Sequence, residues 1–205
     1  MSAAARSGFR TVAADDPLVE PLLRELTHEY VTRYGPEGRQ EMTRYPAEAF
    51  AEPHGVLLLL LEDGEPVAGG AYKRYDGHTA EVKRMWTHSA HRRRGLARRV
   101  LAELERTAAA AGYTRLYLTT GPRQPEARGL YLASGYTPLF DVSADPLTIG
   151  PLPFEKRLPV SEQRLPVSEQ RPPVPAERPP VPAERRPAKR PAAGGRQSSV
   201  PAPTS

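Results

Sequence analysis

Arg92-x-x-Gly95-x-Ala97 is the pattern in this 205-residue chain whose residue types and spacing most directly suit chemistry. It lies in the run Thr79 to Leu104, TAEVKRMWTHSAHRRRGLARRVLAEL, which reads as a strand, an arginine-rich loop and a helix. The first N–H groups of a helix have no internal partner, and with the positive end of the helix dipole they seat a phosphate. Gly95 and Ala97 lack bulk, so a pyrophosphate can approach the main chain there, while Arg92, Arg93 and Arg94 add mobile positive charge. These residues point to a phosphorylated ligand, although the same arginines also suit a solvated helix face or a nucleic-acid patch.

The elements that must hold this loop follow from periodicity. Phe9 to Val12 reads as a short strand. Asp15 or Asp16 caps a helix that starts at Pro17, carries Leu18, Leu22, Leu26 and Tyr30 at intervals of four, and ends near Gly35. A second short helix is expected over Pro46 to Ala51. Val56 to Glu62 is a continuous apolar run, as for a strand covered on both faces, and a tight turn at Glu62 to Glu65 leads into Pro66 to Tyr75. Strand Thr79 to Thr87 follows. The helix after Gly95 has Leu96, Val100, Leu101, Leu104 and Ala108 on one side and stops at Gly112. Arg115 to Thr119 is then a strand parallel to the one before that helix, by a right-handed crossover. A helix over Pro125 to Ser134 and strands over Tyr136 to Phe140 and Pro153 to Leu158 complete a mixed sheet flanked by helices.

Charge divides the chain in two. Residues 157–205 hold twelve of the 24 prolines, nine basic residues and four glutamates, so the net +5 of the protein lies there and residues 1–156 balance at 20 basic and 20 acidic. The expected division is a folded domain over 1–158 and a tail over 159–205. The tail repeats RLPVSEQ, RLPVSEQ, RPPVPAE, RPPVPAE, too rich in proline for helix and too poor in apolar side chains to fold, so disorder or polyproline II is expected. The basic pI therefore says nothing of the domain's partners, and no nucleic-acid partner is expected. The absence of cysteine removes disulfides, thiolate zinc sites and a thioester on the protein itself. The longest aliphatic run, Val56 to Leu61, is far short of a membrane span, so a cytoplasmic protein with no membrane partner is expected.

Two stretches then line up at consistent spacing: Glu81-Val82-Lys83-Arg84-Met85-Trp86 leading into HRRRGLARRVL, and Leu116 to Gly121 leading into QPEARGLYLASGYTPL. Over residues 8–158 the chain resembles the GNAT superfamily of acyl-CoA-dependent N-acetyltransferases. The resemblance implies an α/β (α+β) three-layer fold and a pyrophosphate loop at Arg92, Arg93, Arg94, Gly95, Leu96, Ala97 and Arg98. It implies acetyl-CoA as co-substrate, with the pantetheine arm lying along Met85, Trp86 and Thr87 like an added strand, and no metal. The Met85 N–H would polarise the thioester carbonyl. Gln124, which the resemblance places among the cofactor-binding residues, stands where many relatives carry Asn, and Arg128 and Gly129 depart from the usual second motif.

That motif makes Tyr131 the acid for the departing thiolate, since a phenol and a thiol have comparable proton affinities. Glu81 is the base on the cofactor strand, with His88 as an alternative. Trp86 is placed either in the acceptor pocket or in the core, and Tyr30, Tyr34 and Tyr45 either recognise the acceptor or pack helices. The expected activity is direct transfer of acetyl to a primary amine, small molecule or peptide, in a ternary complex by a monomer or homodimer. The alternative is an acyl-CoA-binding sensor without turnover.

Overall fold

The computed structural model describes residues 7–159; the first three residues of the proline-rich repeats, Arg157 to Pro159, fall within it and the rest of the tail lies outside the described residues. A single seven-stranded sheet runs in the order β1-β2-β3-β4-β5-β7-β6. Its strands are β1 (Ser7–Thr11), β2 (Val56–Glu62), β3 (Glu65–Arg74), β4 (Thr79–Thr87), β5 (Arg115–Thr120), β6 (Thr137–Pro138) and β7 (Leu152–Arg157). Every neighbouring pair is antiparallel except β4–β5, which is parallel. The helices are α1 (Glu20–Tyr34), α2 (Gln40–Thr43), α3 (Leu96–Ala110), α4 (Pro125–Ala133) and α5 (Pro146–Ile149).

Leucine alternation in β2 shows how the three layers are held. Val56, Leu58 and Leu60 enter one core with α3 and Tyr131, whereas Leu57 and Leu59 enter the other with Leu22 and Leu26 of α1. A run of five consecutive buried residues is thus a strand serving two cores, as its continuous apolar pattern requires. The α3 face expected from spacing, Leu96, Val100, Leu101, Leu104 and Ala108, is buried in full.

Local chemistry shifts some boundaries. Asp16 does cap the first helical segment, accepting from Leu18 N–H at 2.9 Å, but Pro17–Val19 forms a 3-10 turn before α1 begins. The segment expected to be helical over Pro46 to Ala51 is a 3-10 turn at Ala47–Phe50, bounded by extended backbone at Pro46 and Ala51. Of the strand expected over Tyr136 to Phe140, Thr137 and Pro138 pair with β7, and the Leu139 N–H donates to the Pro153 carbonyl at 2.9 Å.

Two features of β4 prepare a cleft. It pairs with β5 only from Thr79 to Glu81, the last partner being Tyr117, and beyond that point the two parallel strands part. On its other edge the register to β3 shifts between Gly69 and Ala71, so that Gly70 stands opposite the extra residue of a bulge, where Arg84 is left-handed at φ 56°. Both glycines there are tightly enclosed. A Cβ on Gly69 would lie 2.8 Å from Leu59 Cδ2, 2.9 Å from Leu22 Cδ1 and 2.9 Å from the Leu58 carbonyl oxygen, and one on Gly70 2.8 Å from Met85 Sδ. Gly69→Ala is therefore expected to cost about 1–3 kcal/mol, since the Leu58 main chain cannot turn aside. Urea denaturation would read this as a lower midpoint at unchanged slope, and Gly8→Ala, with nothing within 4 Å of the new methyl, should show no such loss.

Candidate active site

The parting of β4 from β5 leaves a cavity whose wall includes Tyr30, Glu41, Lys83, Met85, Thr119 and Tyr131. Tyr131 comes from α4 and is 5% exposed, its ring 5.6 Å from those of both Tyr136 and Phe154. Burial raises its pKa well above that of a free phenol, so it carries its proton at any physiological pH. Met85 sends its side chain into the α3-side core while the next residue, Trp86, points the other way under α1. Trp86 is thus a core residue by its side chain, 4% exposed, with its indole N–H donated to Glu25 at 3.0 Å.

The start of α3 is left open, in a form that suits an anion. Arg93 (φ 62°) and Gly95 (φ 74°) are both left-handed, a backbone form found in loops whose main-chain N–H groups converge on an anion. No side chain caps the helix and no acidic residue lies in its first turn; Arg98 and Arg99 occupy it instead. Cations at this end oppose the helix dipole, so the free N–H groups and the arginines together suit a bound phosphate. A Cβ on Gly95 would meet no protein atom within 4 Å, so what the fold itself asks of this position is its left-handed backbone angle.

The arginines are not equivalent. Arg92 lies 3.5 Å from Glu29, Arg94 donates to Glu62 at 2.9 and 3.0 Å, and Arg98 donates to the Ala133 carbonyl at 3.3 Å. Arg93 has no ion pair among the described residues. Gln124 is engaged inside the protein: its carbonyl oxygen accepts from Gly121 N–H at 3.0 Å and from the Thr120 hydroxyl at 3.2 Å, and its amide donates to Glu29 at 3.3 Å. It braces the β5–α4 turn beside the cavity.

Glu81 sits at the vertex where the strands part, 6% exposed, with its carboxylate 2.8 Å from Lys73 and 3.0 Å from Lys83. Burial alone would raise its pKa, but Lys83 and then Lys73 outweigh burial and hold it below the ordinary carboxylate value. Lys83, likewise buried, is kept charged by Glu81 and Glu41. His88 is turned away from the cavity: its Nδ1 accepts from Ala90 N–H at 3.2 Å and its Nε2 is 3.6 Å from Glu25. Tyr34 packs on the Gly121 turn, its hydroxyl accepting from Arg123 N–H at 3.2 Å, whereas Tyr30 and Tyr45 line the cavity.

Two residues that sequence reasoning passed over organise this end of the molecule. Glu25 takes the Trp86 indole, and the Ser89 N–H and hydroxyl at 3.0 Å each, while Glu29 faces Arg33, Arg92 and Gln124. Like charges at i and i+4 repel on an isolated helix. That spacing was the available signal that α1 has cations and donors waiting outside it.

Comparison with known proteins agrees with this geometry. The sequence profile of the acetyltransferase (GNAT) family matches residues 20–136. The chain is 37% identical over 93 residues to the N-acetyltransferase YsnE of Bacillus subtilis, a match covering 42% of this chain and 62% of that protein, less than two thirds of its length. It is 30% identical over 146 residues to the IAA acetyltransferase of Azospirillum brasilense, covering 68% of this chain and 94% of that one. A GNAT acetyltransferase structure from Elizabethkingia anophelis, with acetyl-CoA bound, superposes with a TM-score of 0.50 at 16% identity over 74% of this chain and 98% of that one. A parallel strand pair that opens beside an uncapped, arginine-bearing helix start, together with a profile match over more than half the chain, places this protein in the acetyltransferase (GNAT) family.

Proposed function

We propose that this acyltransferase moves an acetyl group from acetyl-CoA to a primary amine by direct attack in a ternary complex. The observation that carries the reading is the open β4–β5 cleft with Tyr131 in its wall, together with the uncapped start of α3, the helix that follows β4. When bound, acetyl-CoA supplies a thioester carbonyl activated for attack. The N–H groups from Arg93 to Arg98 hold its pyrophosphate, and the β4 edge from Met85 to Thr87 offers main-chain partners to its arm. Met85 N–H polarises the carbonyl oxygen, the amine nitrogen bonds to the carbonyl carbon, and the carbon–sulfur bond breaks. Tyr131 gives its proton to the departing sulfur. The name of the Azospirillum relative and the acetyl-CoA-bound neighbour both support this choice of acyl donor.

Glu81 is the proposed acceptor of the amine proton, through water. A carboxylate held low by two lysines is a weak base, so its larger role is to anchor Lys73 and Lys83. Glu81→Gln is expected to cost roughly 3 kcal/mol at neutral pH, because it leaves buried Lys73 without its counter-charge and Lys83 with Glu41 alone. Its folded pKa is lowered, so this stabilisation is full above the unfolded carboxylate value near 4.3 and fades as pH falls through the lower folded value. Denaturation curves for wild type and variant should therefore differ at pH 7 and converge in acid.

Tyr131→Phe is expected to lower kcat about a hundredfold while acetyl-CoA affinity, measured by titration calorimetry, stays within about twofold. Since burial keeps the phenol protonated, wild-type kcat should show no basic limb from Tyr131 below about pH 10. Gly95→Val, forced into a left-handed angle, should weaken acetyl-CoA binding more than Arg93→Ala does.

A further inference from the structure

We propose that the amine acceptor carries a carboxylate, held by the guanidinium of Arg84, and that it is a small amino acid rather than a polyamine or a long peptide. The proposal rests on the acetyl-transfer reading above and names the substrate class of the same site.

The charges around the cavity do not balance. Lys73, Glu81, Lys83 and Glu41 form a chain with successive separations of 2.8, 3.0 and 3.4 Å, and Arg44 joins it 3.8 Å from Glu41. These two carboxylates serve three cations before Arg84 is counted. Arg84 itself makes no ion pair among the described residues. Its one hydrogen bond to the protein runs from Nη2 to the Met42 carbonyl at 3.2 Å, and its guanidinium lies 4.1 Å over the ring of Phe50. A guanidinium has five N–H donors, so most of its hydrogen-bonding edge is left for something else. Burial pushes its pKa down, and the charge of Glu41 offsets this only in part, so the cation is incompletely compensated inside the protein.

The backbone aims this charge. Arg84 is the left-handed residue of the β4 bulge and immediately precedes Met85, the proposed carbonyl donor. An acceptor whose nitrogen reaches the carbonyl at Met85 therefore has the Arg84 head one side chain away. Stacked on Phe50, the planar guanidinium offers a fixed fork that a carboxylate matches through two parallel hydrogen bonds. Tyr30, Met42 and Tyr45 close the surrounding wall around a small cavity of about 60 Å³, which suits a compact acceptor.

Matched pairs test this without any variant: L-amino acids and the amines that result from their decarboxylation, compared by CoA release with saturating acetyl-CoA. Wild type is expected to favour the carboxylate member in kcat/KM by roughly a hundredfold. Arg84→Gln should abolish that preference by raising KM for the acids while leaving the amines nearly unchanged, and Arg84→Lys should restore part of it. Equal or better turnover of the decarboxylated amines overturns the proposal but leaves acetyl transfer standing, as does preference for aminoalkyl phosphonates over the carboxylates. Acetyl-CoA binding without turnover of either member overturns the acetyl-transfer reading and this proposal with it.

Discussion

The parting of β4 and β5 after the Glu81–Tyr117 pair is the constraint on which the rest of the site depends. Two parallel strands that stayed paired would satisfy each other's backbone groups and leave no cleft. They part because β4 is held on its other side by β3, through a bulge at Arg84 opposite Gly70, and because helices press on both faces of the sheet there. The bulge adds a residue to β4, increases its local twist and turns its end away from β5. Gly69 and Gly70 make this packing possible, since any side chain at either position would meet Leu22 and Leu59 on one face or Met85 and Leu104 on the other.

Opening a sheet exposes polar groups, and the protein answers with ion pairs at the vertex. Glu81, Lys73, Lys83 and Glu41 lie largely out of water and are affordable only because each charge faces another at 3.4 Å or less. The same arrangement limits what Glu81 can do as a base. A second set of carboxylates, Glu25 and Glu29 on α1 and Glu62 on β2, engages Trp86, Arg92 and Arg94 and so fixes the loop between β4 and α3. What remains for an anion is the main chain of that loop, Arg93, and the first turn of α3. The positive charge left free at this end of the molecule is thus decided as much by which arginines are occupied as by how many there are.

The long elements were legible because their periodicity is local. Leu96, Val100, Leu101, Leu104 and Ala108 repeat at helical spacing, and Leu57 to Leu60 leave no polar face, so both could be placed without knowing their neighbours. The short ones were not. Ala47–Phe50 and Thr137–Pro138 take their form from flanking prolines and from what they pack on. Trp86 could be core or pocket by sequence because alternation gives its face but not what covers that face, and only the position of α1 with Glu25 decided it.

By itself the sequence determined the order of the long strands and helices, the helix start at Gly95 and the placing of Tyr131 on the following helix, because each rests on interactions within a few residues of chain or on a pattern carried whole by its element. Only the tertiary structure decided which charges cancel. Glu81 is 8 residues from Lys73 but Lys83 is 42 from Glu41, and Arg84 makes no ion pair among the described residues because Glu41, the carboxylate whose charge reaches it, is already engaged by Lys83 and Arg44. Charge pairing depends on distance in space and on exclusion of water, and neither can be read along the chain.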